Sequence, residues 1–112
     1  MPHDLIIKNG TVVDGTGAPR EHADIAVSNG VITEVGKVDG SAERTIDAAD
    51  LIVAPGFVDP HTHYDAQICW DDITSPSCWH GVTTVVMGNC GVGFAPAAPD
   101  RQEWLVGLME GV

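Results

Sequence analysis

At 112 residues, with 44% apolar side chains spread along its length, the chain has the composition of a folded protein rather than of a low-complexity or disordered segment. Its 16 acidic and 5 basic residues give a formal charge of -11, which disfavours nucleic acid and anionic membrane surfaces as partners, because both are held by clustered Lys and Arg. The first four residues carry no basic stretch, and no apolar run nears the ~20 residues needed to cross a bilayer. The expected compartment is therefore the cytoplasm, where Cys69, Cys78 and Cys90 read as thiols or metal ligands rather than a disulfide framework.

The first half has strand chemistry. Asp4-Leu5-Ile6-Ile7-Lys8-Asn9-Gly10 runs into Thr11-Val12-Val13, and Asn-Gly between β-formers signals a hairpin. The pattern returns in Asp24-Ile25-Ala26-Val27-Ser28-Asn29-Gly30 followed by Val31-Ile32-Thr33-Glu34-Val35, either as a true repeat or as the same turn chemistry used twice. Two adjacent hairpins are expected. Asp14-Gly15-Thr16-Gly17-Ala18-Pro19 and Asp39-Gly40-Ser41 are turn-rich connectors. The Gly-x-Gly of the first lacks a third glycine and a following helix, which argues against a nucleotide loop. Arg44-Thr45-Ile46-Asp47 and Leu51-Ile52-Val53 add two short strands, so residues 1–54 read as a small antiparallel sheet or half-sandwich.

The character changes after Pro55-Gly56. Phe57-Val58-Asp59 is a short apolar strand leading into Pro60-His61-Thr62-His63, and Val82-Thr83-Thr84-Val85-Val86-Met87 is a second, leading into Gly88-Asn89-Cys90-Gly91. Runs of this kind are typical of strands buried on both faces of a parallel sheet, and the intervening stretch is long enough for a crossover. A closing helix is expected with Asp100 as cap and Glu103 completing a capping box. Trp104, Leu108 and Val112 form its apolar stripe, with Leu105 and Met109 alongside.

The chemistry concentrates at the two strand ends. Residues two apart on a strand share a face, so the imidazoles of His61 and His63 can converge on one cation. The bland alternative is a pair of hydrogen-bonded surface histidines. Cys90 lies between flexible glycines and is either a thiolate ligand or an inert thiol. Cys69 and Cys78 have no Cys-x-x-Cys spacing and read as packing residues, and His80 reads as a structural hydrogen-bonder. Asp65 either orients a metal-bound histidine or caps the segment that follows it. His3 and His22 carry no assigned role.

Ala54-Pro55-Gly56-Phe57-Val58-Asp59-Pro60-His61-Thr62-His63 resembles the metal-binding signature of the amidohydrolase superfamily. His63-Tyr64-Asp65-Ala66-Gln67, together with the string from Gly81 through Asn89-Cys90-Gly91-Val92-Gly93-Phe94-Ala95-Pro96, is similar to the N-acyl-D-amino-acid deacylases. The resemblance covers essentially the whole chain and implies an α/β fold with a β-rich N-terminal part. Residues 1–54 would belong to a urease-like β-sandwich, and residues 55–112 would form the first two βα units of a (β/α)8 metal-dependent-hydrolase barrel. Such a barrel takes ~250 residues, so most of it is expected outside these 112, and the chain alone is expected to be inactive.

The resemblance further implies one or two zinc ions, or another divalent metal, held by His61, His63 and a Cys90 thiolate. Substrates would be small N-acyl-D-amino acids, and a general-base aspartate would lie downstream. A cyclic amide substrate, as in hydantoinase- or dihydroorotase-like enzymes, is the alternative within the superfamily, against which the Asn-Cys-Gly turn argues. A non-catalytic β module that binds metal or a partner is the alternative outside it.

Overall fold

The computed structural model describes residues 3–91, 93, 95–108 and 110. Its contacts divide the chain into two compact units, Met1–Pro55 and Gly56–Val112. The chain is rich in strands, and its helices are short. Among the described residues, no helix is long and apolar enough to cross a membrane.

The first unit is a five-stranded sheet built on β1 (His3–Val12), β2 (Glu21–Ser28), β3 (Val31–Gly36), β4 (Ala42–Asp47) and β5 (Ile52–Val53). The strand order is β3-β2-β1-β4, with β5 also paired to β1. The expected antiparallel sheet is in fact mixed: β1 pairs antiparallel with β2 but parallel with β4 and β5. Side chains alternate across it. Ile6 lies opposite Ala26 in the ladder, and these two pack with Val38. Ile7 lies opposite Ile25, in a cluster with Val12, Ala23, Val27 and Val53. That second face opens into an apolar groove of 490 Å³.

The two Asn-Gly pairs have different fates. Asn29-Gly30 turns β2 into β3, as expected, with Asn29 at φ 53° and Gly30 at φ 73°. Asn9-Gly10 makes no hairpin, and β1 runs straight through it. Between Ile7 and Gly10 three steps of β1 match two of β2, which is a β-bulge. Asn9 is held from both sides: its backbone N–H donates to the Asp24 carboxylate at 2.9 Å, and its side-chain amide donates to Asp47 at 3.0 Å. Gly10 is required for another reason, since a β-carbon there would stand 2.6 Å from Cγ2 of Val53 on β5.

The second unit holds β6 (Phe57–Asp59) and β7 (Val82–Val85), paired in parallel as the strand chemistry suggested. Helix α1 (Tyr64–Gln67) and a 3-10 turn over Ser77–His80 lie between them. The expectation of strands buried on both faces fails for β6, where Phe57 is 65% and Val58 61% exposed. Two strands and short helices supply too little surface to cover a sheet.

The last helix also starts differently. A 3-10 turn over Pro99–Arg101, with Ala98 as N-cap, leads into α2 (Gln102–Leu108), so Asp100 lies inside the first turn rather than capping it. Proline suits the first helical position because its fixed φ is helical and its missing N–H costs nothing there. Trp104 and Leu108 are exposed. Met109 and Val112 of the expected stripe, and Val92 and Phe94 of the second string, lie outside the described residues.

Gly10→Ala should destabilise the first unit by about 1–3 kcal/mol through overpacking against Val53, and Val53→Ala in the same background should recover part of the loss. Urea unfolding measures both. An unchanged midpoint in Gly10→Ala would contradict the close approach.

Candidate metal centre

Because β6 and β7 are parallel, both chains leave the sheet at the same end, on strands about 4.8 Å apart. The ladder continues past the strands, with the Val86 N–H donating to the Asp59 carbonyl at 2.9 Å. Thr62, only 7% exposed, turns inward, and its hydroxyl donates to the Val86 carbonyl at 2.9 Å. The alternation that buries Thr62 leaves His61 and His63 exposed, with ring centroids 6.4 Å apart and planes inclined by 24°. The backbone N–H of His61 donates to the Asp59 carboxylate at 3.1 Å.

From the end of β7 the chain folds back through Gly88, Asn89, Cys90 and Gly91. Gly88 and Gly91 have φ of 76° and 87°, in the left-handed region that glycine enters without steric cost. The Asn89 side-chain amide donates to the Pro60 carbonyl at 2.6 Å, and the Gly88 N–H donates to the Asp65 carboxylate at 3.0 Å. Cys90 is half-buried. The result is that the ligand atoms of His61, His63 and Cys90 all lie within 4.8 Å of one another.

This donor set fits a zinc-like cation. With Zn–N near 2.0–2.1 Å, Zn–S near 2.3 Å and tetrahedral angles, two ligand atoms of one ion lie about 3.3–3.6 Å apart. The 4.8 Å span exceeds that by up to about 1.5 Å, which two exposed imidazoles can close by rotating about their side-chain bonds. Two neutral nitrogens and a sulfur that can ionise are soft to borderline donors suited to zinc.

Other titratable and sulfur groups stand apart. Cys69 and Cys78, expected as packing residues, are instead exposed, since they occupy the poorly covered crossover. His80 is exposed in the last turn of the 3-10 segment. His3 pairs through Nδ1 with the Ser28 hydroxyl at 3.0 Å. Asp65 lies in the first turn of α1, where the cap makes no side-chain hydrogen bond, and its carboxylate holds the loop that carries Cys90.

A cavity of 260 Å³ opens beside the two histidines, lined also by Asp59, Thr62, Tyr64, Gln67 and Ser77. Its far wall is organised by a residue that sequence reasoning passed over, the buried Asp71. The Asp71 carboxylate accepts from the Ser75 hydroxyl and N–H, both at 2.7 Å, from the Gln67 side-chain amide at 2.9 Å and from the Ile73 N–H at 3.2 Å. The same Gln67 amide donates to the Ser75 carbonyl, and the Tyr64 hydroxyl donates to Ser77 Oγ at 2.6 Å. The signal available in the sequence was an Asp two residues ahead of the amide it binds, as in an Asx-turn. Led by the Ser75 hydroxyl and then the Gln67 amide, these donors lower the Asp71 carboxyl from 3.8 to about 2, against the opposing effect of burial.

The Amidohydrolase family matches residues 44–112. D-aminoacylase of Alcaligenes xylosoxydans xylosoxydans is 42% identical over 99 residues, covering 88% of this chain and 20% of that protein. D-hydantoinase of Ralstonia pickettii is 52% identical over 62 residues, covering 55% of this chain and 13% of that protein. The crystal structure of N-acyl-D-glutamate deacylase from Bordetella bronchiseptica, complexed with zinc and a phosphonate mimic of the tetrahedral intermediate, matches with a TM-score of 0.77 at 38% identity. That match covers 94% of this chain and 23% of the deacylase. The chain spans about a fifth of the length of the curated deacylases it matches.

The Asp71 carboxyl titrates lower in the folded chain than the ~3.9 of a free aspartate. Its stabilising contribution is therefore full above pH ~4 and is lost as pH falls through about 2, so stability rises with pH across that window. A carboxyl-carbon NMR titration should place its midpoint near 2, and Asp71→Asn should remove this part of the acid dependence. A midpoint near 4 would contradict the hydrogen-bond assignment.

Proposed function

The chain belongs to the amidohydrolase family, and on that premise we propose that it contributes the metal-holding strand ends of a zinc-dependent hydrolase that deacylates N-acyl-D-amino acids. The observation that carries this reading is the convergence of His61, His63 and Cys90 on one point, from the ends of two parallel strands. Support for the substrate class comes from the similarity to D-aminoacylase and to N-acyl-D-glutamate deacylase. In this reading the five-stranded sheet begins a urease-like sandwich, and β6 to α2 make up the first two βα units of a (β/α)8 barrel. Active sites in such barrels lie at the C-terminal ends of the strands.

The residues of this chain divide the work. His61 and His63 would offer imidazole nitrogens to the cation, and Cys90 would offer a thiolate sulfur. A cation held there would supply Lewis acidity, lowering the pKa of water toward ~7 and polarising the scissile carbonyl. Thr62 fixes the alternation that keeps both imidazoles on the open side. A 260 Å³ cavity opens beside them. The general-base aspartate, the remaining ligands and the pocket for the D-side chain belong to residues outside these 112, and the chain by itself is inactive in this reading. Substrate is a small molecule, and the cytoplasm is the proposed compartment.

A second reading has a specific observation behind it. The 52% identity to D-hydantoinase over 62 residues favours a cyclic amide. The Asn89-Cys90-Gly91 turn separates the two, since by the resemblance a thiolate at this position marks the deacylases.

The test measures zinc per chain and turnover of an N-acyl-D-amino acid in the protein that carries the remaining barrel strands. Cys90→Ala should abolish turnover and lower zinc content, whereas His61→Ala and His63→Ala should each retain at least one ion through the thiolate. Cys69→Ala and Cys78→Ala, at exposed positions, should keep metal and activity and change stability by no more than about 0.5 kcal/mol. Full metal and activity in Cys90→Ala would overturn the deacylase reading, and hydrolysis of a cyclic amide in place of the linear one would favour the alternative.

A further inference from the structure

We infer that Asp65 and Asn89 are the positioning residues of the Cys90 thiolate. They fasten the turn that carries the sulfur to the segment that carries the two histidines. The inference rests on the ligand set proposed above and concerns how that set is held.

The turn has little to hold it from within. Gly88 and Gly91 give it conformational freedom on both sides, and Cys90 is only half-buried, so packing alone does not fix the sulfur. Two hydrogen bonds from outside the turn do. Asp65 Oδ2 accepts the Gly88 N–H at 3.0 Å, and the Asn89 side-chain amide donates to the Pro60 carbonyl at 2.6 Å. The other carboxylate oxygen of Asp65 sits close by, so that a β-carbon added at Gly88 or Gly93 would stand 3.7 or 3.5 Å from it. The carboxylate thus occupies the hollow between two glycines of the loop, one on each side of Cys90.

Each bond joins residues far apart in sequence, 65 to 88 and 89 to 60, and together they bracket His61 and His63. Carboxylates beside metal sites commonly bind the outer nitrogen of a ligating histidine. Asp65 holds the backbone of the thiolate loop instead. What the loop requires from it is an acceptor rather than a charge, so asparagine should serve in its place.

Cobalt titration of the protein that carries the remaining barrel strands tests this, because a thiolate-to-cobalt charge-transfer band reports the metal–sulfur bond itself, which general destabilisation leaves intact at saturation. The parent should show the band. Asp65→Ala and Asn89→Ala should weaken cobalt affinity on the order of 10–100-fold and reduce the band at saturation, while Asp65→Asn stays within about threefold of the parent. Circular dichroism verifies the fold of each variant, and Asn89→Ala decides the matter where Asp65→Ala does not fold. Unchanged affinity and band in the alanine variants would overturn the positioning role, as would an Asp65→Asn as damaging as Asp65→Ala. Absence of the band in the parent would overturn the ligand set itself, a failure distinguishable from the other two.

Discussion

The parallel pairing of β6 with β7 is the constraint on which the candidate centre depends. Parallel strands end side by side, so residues just beyond Asp59 and just beyond Val85 share one rim. An antiparallel pair would place those ends at opposite edges of the sheet, separated by the length of the strand. At ~3.3 Å per residue, four residues of β7 would put about 13 Å between His61 and Cys90, far beyond the reach of a shared ion. Two bonds extend the ladder past the strands, Val86 N–H to the Asp59 carbonyl and the Thr62 hydroxyl to the Val86 carbonyl, and they carry the regularity of the sheet into the loops that hold His61, His63 and Cys90. The buried Thr62 is the hinge of this arrangement, since its inward turn forces its two histidine neighbours outward.

Some of this was legible in the residues and some was not. The strand chemistry of β6 and β7 and the placement of His61, His63 and Cys90 at their ends could be read because strand periodicity is local and the turn residues are unambiguous. The two Asn-Gly pairs show where local reading stops. Both have the same turn chemistry, yet Asn29-Gly30 turns the chain and Asn9-Gly10 only bulges it. The difference lies in residues distant in sequence: Asp24 and Asp47 hold Asn9, and Val53 presses on Gly10. Tertiary contacts of that kind leave no mark on a ten-residue window. The same holds for the parallel neighbours of β1, which turned an expected antiparallel sheet into a mixed one.

Cavity walls are harder to read than ligands. Tyr64, Gln67, Ser75 and Ser77 carry ordinary polar side chains, and only the fold of the crossover shows that Asp71 gathers Gln67 and Ser75 while Tyr64 bonds Ser77. A carboxylate that accepts several hydrogen bonds shapes a loop whose large apolar residues, Ile68, Trp70, Ile73 and Trp79, are not buried. It also explains why Asp71 is buried although its neighbour Asp72 is exposed. Exposure of Cys69 and Cys78 follows from the same sparse packing, which leaves Cys90 as the one of the three thiols brought to the histidines.

The central claim, that one metal draws its ligands from both strand ends, is tested most directly by zinc K-edge X-ray absorption of the zinc-loaded protein that carries the remaining barrel strands. The expected spectrum contains a sulfur at about 2.3 Å together with imidazole nitrogens at about 2.0–2.1 Å. The sulfur contribution should disappear in Cys90→Ala and persist in Cys69→Ala and Cys78→Ala. A first shell of nitrogen and oxygen alone in the parent chain would contradict it.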